Sequence, residues 1–147
     1  MNDVQYMKMA LDLAKEAGES GDVPVGAIIV KDGEIISSGA NKRVLYGSAV
    51  SHAEVVAIER ACKKLGTWRL SGCTLYVTLE PCPMCAGAII NSRVDRVVFG
   101  AKDAKAGCFG SLINFNHYPF NHKPKIIEGV CADECSAVLS EFFARLR

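Results

Sequence analysis

The chain has 147 residues, of which 50% are hydrophobic and 22% are charged, and its formal net charge at pH 7 is +1. This length suits one domain with a single core, and the composition excludes a disordered or low-complexity chain. Because acidic and basic residues nearly balance, composition alone indicates no nucleic-acid partner, although a local basic patch would be compatible with it.

Cysteine content and apolar runs bear on the compartment. Seven cysteines are an odd number in a chain too long to need disulfide bonds, and the first residues lack the basic and then apolar pattern of a signal peptide. The longest apolar run, residues 23–30, is far shorter than the roughly 18 residues of a membrane span. We therefore expect a cytoplasmic protein without membrane contact.

Helix and strand patterns alternate along the first half of the chain. Apolar residues recur at helical spacing over residues 3–17 and 53–65, which predicts two helices. Between them, apolar runs at residues 25–30 and 35–39 flank an Asp-Gly turn, which is a strong signal for a β-hairpin. Residues 41–51 show no clear period.

The second half continues this alternation. The remaining predicted elements are strands at residues 74–79, 93–100 and 125–128, a helix that begins at Pro81 and continues to residue 90, and a last helix at residues 132–146. Residues 101–121 are the least regular segment, with Leu112 and Ile113 as its clearest apolar core. The pattern predicts an α/β fold in which residues 1–147 form a single domain, with helices on both faces of a sheet.

Cys82 and Cys85 form a Cys-x-x-Cys pair. On a helix, their side chains would lie roughly 60° apart around the axis, which allows both to bind one ion. A helix that begins at Pro81 would place both sulfurs in its first turn, where the helix dipole favours the thiolate form that binds metals. A redox pair or two buried cysteines are the alternatives for such a pair taken alone.

His52 and Glu54 lie about thirty residues earlier. On a regular helix they would be roughly 200° apart, so we expect only one of them to bind the ion. A neutral imidazole and two thiolates leave a fourth tetrahedral position for water, which is typical of catalytic zinc. We predict that His52, Cys82 and Cys85 bind one zinc ion per chain and that Glu54 moves protons. Taken alone, His52 could instead be an ordinary core or capping histidine.

These residues match the signature of the zinc-dependent deaminases, His-x-Glu followed by Pro-Cys-x-x-Cys. The chain resembles in particular the tRNA adenosine deaminases. Further residues that carry the resemblance are Asn41 and residues 23–27, 68–70, 75–82, 84–88, 98–101, 110–112, 121–122 and 142–143. The resemblance implies a cytidine deaminase-like, three-layer α/β/α sandwich with a mixed five-stranded sheet. It also implies a homodimer that deaminates adenosine to inosine at the wobble position of a tRNA anticodon stem-loop.

The resemblance also implies residues that contact the substrate. It places Val25 against the adenine ring, Asn41 in a hydrogen bond to the base, and the backbone of Ala53 at the edge of the base. Without the resemblance, Val25 would be a core residue and Asn41 the end of a strand. Asp103 and Lys105 are implied contacts for sugar and phosphate.

The last predicted helix carries two adjacent phenylalanines, Phe142 and Phe143. Adjacent helical residues cannot face the same way, so we expect Phe142 to be buried and Phe143 to be free for the RNA loop or a stacked base. Arg145 and Arg147 would extend a basic edge beside it.

Two departures from the family pattern concern the loops. Ala49-Val50-Ser51 stands where the family usually has Pro-Thr-Ala, and Pro83 replaces the usual valine between the two cysteines. Pro83 is tolerable in the first turn of a helix, where the backbone N–H has no internal partner. Two other functions stay open on the sequence: a small-molecule deaminase of cytidine or guanine type, and a redox or structural-metal domain without deaminase activity.

Overall fold

The computed structural model describes residues 1–146, which contain five α-helices and five β-strands. The helices are α1 (Asp3–Glu19), α2 (Arg43–Tyr46), α3 (Ala53–Leu65), α4 (Pro83–Ser92) and α5 (Ala132–Arg145). The strands are β1 (Gly26–Lys31), β2 (Glu34–Ala40), β3 (Cys73–Leu79), β4 (Arg96–Ala101) and β5 (Lys125–Ile127). Within residues 1–146, no helix combines the length and the apolar character that crossing a bilayer requires.

The strands form one mixed sheet in the order β2-β1-β3-β4-β5. β1 is antiparallel to both of its neighbours, whereas β3, β4 and β5 run parallel. Asp32 and Gly33 join β1 to β2 with positive φ angles of 51° and 75°, the geometry of a type I′ turn. The predicted hairpin is therefore confirmed, and α4 makes the crossover between β3 and β4.

Helices cover both faces of the sheet. α1 and α5 pack on one face, while α3 and α4 pack on the other. On the central strand β3, Leu75 faces the α3 side and its neighbour Tyr76 faces the α1 side, because successive strand residues point to opposite faces. The predicted three-layer α/β/α sandwich with a mixed five-stranded sheet is confirmed.

The prediction that α4 begins at Pro81 is wrong by two residues. Cys82 is the N-cap, with an extended backbone at φ −75° and ψ 175°, and Pro83 occupies the first turn of α4. Proline suits this position because its missing N–H would have no partner inside the helix. Pro83 therefore defines the start of α4, and Cys82 lies just outside the helix.

Two other local predictions differ from the structure. Residues 41–51 lack a clear period, but Arg43–Tyr46 form the single helical turn α2, which is too short to produce one. In the irregular segment after β4, Leu112 and Ile113 are 54% and 37% exposed, whereas Cys108 and Phe109 are buried. The chain turns inward at residues 107–109, so hydrophobicity alone selected the wrong pair.

Candidate active site

The three predicted metal ligands converge at the N-termini of two helices. His52 is the N-cap of α3 and Cys82 the N-cap of α4, while Cys85 lies in the first turn of α4. His52 Nδ1 is 3.6 Å from Cys82 Sγ and 3.5 Å from Cys85 Sγ. Zinc bound tetrahedrally at about 2.0 Å from nitrogen and about 2.3 Å from sulfur holds those atoms about 3.6 Å apart. The three side chains therefore fit a zinc ion.

The two thiols differ in pKa. The hydrogen bond from Cys85, together with that from His52, lowers the pKa of Cys82 to about 4. The same interaction with Cys82, followed by burial, raises the pKa of Cys85. The hydrogen bond to Cys82 also raises the pKa of His52. These shifts favour the thiolate at Cys82, and a metal ion must displace the proton of Cys85 to bind both sulfurs.

Glu54 occupies the first turn of α3, next to the metal ligands, and is only 4% exposed. Burial raises its pKa to about 7, and the negative charge of Cys82 acts in the same direction. A carboxylate with a pKa near neutrality can both accept and donate a proton at physiological pH. This is the property expected of a general acid and base.

These groups open into a cavity of about 200 Å³. Six residues predicted from the sequence line it: Val25, Asn41, His52, Glu54, Cys82 and Asp103. The cavity is smaller than the roughly 300 Å³ at which sites for drug-sized ligands begin. Its size therefore favours a single nucleobase over a whole nucleotide.

Asn41 has a structural contact that the sequence did not indicate. Its Oδ1 accepts a hydrogen bond of 2.8 Å from the buried backbone N–H of Ala53. His52 caps α3 without a side-chain hydrogen bond, so Asn41 satisfies this helix end from the end of β2. This bond uses the side-chain oxygen of Asn41 and leaves its Nδ2 amide group without a hydrogen bond to Ala53, and Asn41 also lines the cavity.

Lys105 and Phe143 do not line the metal cavity but an adjoining one of about 510 Å³. The two cavities share four lining residues: Val23, Leu79, Asp103 and Ala106. Phe142 is 6% exposed and Phe143 45% exposed, which confirms the predicted orientation of this pair. Arg145 is exposed at the end of α5, and Arg147 lies outside the described residues.

Three residues near the cavity were not identified from the sequence: Asp22, Arg43 and Glu80. Arg43 and Glu80 line the cavity. Asp22 is buried, and its Oδ2 accepts a hydrogen bond of 2.9 Å from the backbone N–H of Val44, which holds α2 and Arg43 beside the site. Glu80 could have been suspected from the sequence, because it is a polar residue two positions before the predicted ligand Cys82. The role of Asp22 depends instead on a contact 22 residues away along the chain.

A buried carboxylate beside a His-Cys-Cys cluster, at the ends of two helices on one face of a mixed sheet, defines a metal-dependent deaminase with a cytidine deaminase-like fold. The MafB19-like deaminase family matches the chain over residues 1–147. A tRNA-specific adenosine deaminase from Bacillus subtilis (strain 168) is 53% identical over 146 residues, which cover 99% of this chain and 91% of the relative. The chain belongs to this deaminase family, among the tRNA-specific adenosine deaminases.

Two solved structures are also similar. One comes from a study of A-to-I editing by tRNA:A34 deaminases at the wobble position of transfer RNA, with a TM-score of 0.90 and 40% identity over 92% of this chain and 99% of that chain. The other is a guanine deaminase from Bacillus subtilis, with a TM-score of 0.68 and 36% identity over 82% of this chain and 88% of that chain.

Proposed function

We propose that this chain converts adenosine to inosine at the wobble position of a tRNA anticodon. The main observation that supports this proposal is the buried Glu54 beside the cluster of His52, Cys82 and Cys85, in a cavity sized for one base. The relatives named for tRNA-specific adenosine deamination match over nearly the whole chain, and the structural neighbour acts at the wobble position. Together these support adenosine in an anticodon stem-loop as the substrate.

Hydrolytic deamination replaces the amino group at C6 of adenine with an oxygen atom from water and releases ammonia. His52, Cys82 and Cys85 would hold one zinc ion per chain, which when bound supplies a Lewis acid that makes water a better nucleophile at neutral pH. Glu54 takes a proton from that water and donates it to the ring nitrogen of the base. Glu54 then takes the second proton of that water, from the oxygen now bonded to C6, and donates it to the departing amine, which leaves as ammonia.

The cavity walls would orient the base for this attack. Val25 packs against the ring, the amide group of Asn41 donates a hydrogen bond to it, and the backbone of Ala53 adjoins its edge. Val25 and Asn41 line the cavity, and Ala53 lies at the N-terminal end of α3, where its N–H donates to Asn41. Exclusion of water by Val25 and the surrounding apolar residues strengthens these polar contacts.

The adjoining cavity would receive the nucleotides that flank the target. Asp103 lies in the shared wall, while Lys105 and Phe143 line only the larger cavity. Lys105 can contact a phosphate, Asp103 a sugar hydroxyl, and the exposed ring of Phe143 can stack on a base. The small cavity thus selects the base, and the larger one selects RNA around it.

The direct test is inosine formation on an anticodon stem-loop with adenosine at the wobble position, compared with the same stem-loop carrying guanosine there. Glu54→Gln should lower kcat by at least about 100-fold, because it removes the proton carrier. It should not lower the melting temperature, because the amide keeps the shape of the side chain and removes the cost of burying a carboxylate that is only 4% exposed. Inosine formation by Glu54→Gln at the wild-type rate, or no inosine from the zinc-loaded wild-type protein, would refute the proposal.

The guanine deaminase neighbour supports a second candidate, a deaminase of free bases. Ammonia release from free guanine, cytidine and adenosine separates the two functions. Turnover of a free base with no reaction on the stem-loop would favour this candidate. Lower identity to the guanine deaminase than to the Bacillus subtilis tRNA-specific relative, 36% against 53%, makes it the second choice.

We also propose a homodimer that uses α4. This helix of 10 residues carries no charged residue, yet Met84, Gly87 and Ala88 are only half-buried. A helix that is apolar on all sides is normally covered on all sides. Light scattering should give twice the mass of one chain, and Ala88→Glu should reduce it to that of one chain. A wild-type monomer at micromolar concentration would contradict this.

We place the protein in the cytoplasm, where tRNA is abundant. The seven cysteines are all free thiols, which is typical of a reducing compartment. A fluorescent fusion expressed in bacterial cells should distribute through the cytoplasm.

A further inference from the structure

Glu80 is a buried carboxylate that binds one loop of the chain. It follows β3 directly and is only 2% exposed. Its Oε1 accepts hydrogen bonds from the backbone N–H of Asp103, at 3.1 Å, and from the hydroxyl group of Ser111. Its Oε2 accepts from the backbone N–H groups of Phe109 and Ser111, each at 3.1 Å. All four donors belong to the loop that follows β4.

No cation satisfies this carboxylate within residues 1–146, because the ion pairs formed there lie elsewhere. A buried carboxylate without a cation is unfavourable unless hydrogen-bond donors surround it. The loop supplies those donors, and it packs so tightly that a Cβ atom at Gly107 would overlap the carboxyl group of Glu80. Glu80 and the loop therefore depend on each other.

The loop forms part of the wall between the two cavities, together with Val23 and Leu79. Oδ1 of Asp103 accepts hydrogen bonds from the N–H groups of Lys105 and Ala106, at 3.1 and 3.2 Å, and its backbone oxygen accepts one of 2.8 Å from Gly107. Residues 103–107 are thus a closed turn, and the bond from Asp103 to Glu80 fixes its first residue. Asp103 and Ala106 then face both cavities.

We propose that Glu80 is a positioning residue that holds the turn at residues 103–107 in the shape that receives the RNA substrate. The inference rests on the proposed function, in which this wall separates the target base from its neighbours. Glu80 would act through Asp103 and Ala106 and would not touch the reacting atoms. Because the wall is already in place before binding, the substrate does not have to order it.

The metal ligands are held independently of this carboxylate. The backbone N–H of Glu80 bonds to Ala101 at 2.9 Å, and the backbone oxygen of Pro81 accepts from Cys108 at 3.0 Å. These backbone bonds place Cys82 at the end of β3, and they do not involve the side chain of Glu80. Loss of the carboxylate should therefore affect substrate binding much more than metal binding or the chemical step.

Glu80→Gln tests this with a nearly unchanged shape. The new amide NH2 group can face only one acceptor in the site, the hydroxyl oxygen of Ser111, because the other neighbours are N–H donors. In that orientation Phe109 and Ser111 keep their acceptor, while the N–H of Asp103 loses it. The variant thus releases one end of the turn and leaves the other end bound.

The measurements are KM and kcat on the anticodon stem-loop, zinc content, and amide hydrogen exchange. We expect KM to rise by about tenfold and kcat to change by less than about threefold, since one buried donor is left without a partner. Zinc content should be unchanged. Exchange should accelerate in residues 102–106 but not in α4. Glu16→Gln makes the same change at an exposed site on α1 and should leave all four quantities unaltered.

A KM within about twofold of the wild-type value with unaltered exchange in residues 102–106 would overturn the inference, as would a loss of kcat alone. If the wild-type protein does not deaminate the stem-loop, the proposed function fails, and hydrogen exchange alone then decides whether Glu80 holds the turn. If Glu80→Gln does not fold, Ser111→Ala removes only the hydroxyl donor to Glu80. It should accelerate exchange in residues 102–106 to a smaller degree, and unaltered exchange would overturn the inference.

Discussion

Gly39 lies where α3 comes closest to the sheet, so a methyl group added there should disturb the active site from a distance. A Cβ atom at Gly39 would be 2.5 Å from the backbone oxygen of Ala53 and 2.9 Å from the backbone nitrogen of Ala57, whereas ordinary contact begins at 3.4 Å. Both atoms belong to the backbone of α3 and cannot rotate away. To restore contact, the start of α3 must move by about 0.9 Å.

This displacement falls on the catalytic groups themselves. His52 is the N-cap of α3 and Glu54 lies in its first turn, whereas the two thiols belong to the N-terminal end of α4. Overpacking of this kind costs about 1–3 kcal/mol of the free energy of unfolding. A misplacement of about 1 Å in a catalytic group can lower the rate by about 100-fold. We therefore expect Gly39→Ala to fold with reduced stability and to lose about 100-fold in kcat.

Denaturant unfolding measures the free energy of unfolding, and single-turnover deamination of the stem-loop measures the rate of the reaction. Gly18→Ala is the matched control, because the same methyl group added to α1 would meet its nearest atoms at 3.4 Å or more, which is ordinary contact. It should stabilise the helix by about 0.5–1 kcal/mol and keep full activity. If Gly39→Ala loses stability but retains the wild-type rate, contact between α3 and β2 does not set the geometry of the site, and the reasoning is refuted.

Two further predictions concern the metal and the response to acid. Cys85→Ser should abolish stoichiometric zinc binding in elemental analysis, whereas Cys131→Ser should retain one ion per chain, because Cys85 belongs to the ligand cluster and Cys131 does not. Asp3 accepts a bidentate ion pair from Arg96, with contacts of 2.6 and 3.1 Å, and this hydrogen bonding lowers its pKa. The resulting stability is present above the ordinary pKa of about 3.9 and is lost as pH falls below it. Since the pair is about one-third exposed, Asp3→Asn should cost at most about 1 kcal/mol at pH 7 and progressively less as the pH falls below about 4, measured by urea unfolding.

The reactive half of the site could be predicted from the sequence because its residues come in short local motifs. His52 and Glu54 are two positions apart, and Cys82 and Cys85 are three, so helical geometry limits what each pair can do. The position of Cys82 was still wrong in detail, since Pro83 and not Pro81 begins the helix. The ligand set survives this correction because an N-cap side chain and a first-turn side chain lie close together.

The walls of the cavity could not be predicted in the same way. Glu80 accepts hydrogen bonds from residues up to 31 positions away, and Asp22 accepts one from Val44. The spacing of residues in the sequence cannot predict such hydrogen bonds, because they depend on how loops return to the ends of strands. The exposure of Leu112 could not be predicted for the same reason. Its neighbour Ser111 turns its backbone N–H inward to Glu80, and the apolar side chain of Leu112 is left exposed.

Asp22 and Glu80 are buried carboxylates near the site, and Glu80 lines the cavity. Each accepts backbone N–H groups, so neither needs a lysine or arginine beside the cavity. Arg43 is then the cation of the base cavity, and Lys105 serves the adjoining one together with Lys102. A chain with a net charge of only +1 offers few cations to a phosphate backbone, and Lys102 is also paired with Glu128 at 3.6 Å. On the proposed function, general electrostatic attraction to RNA is weak, so recognition must come chiefly from the fit of one extruded base and its neighbours.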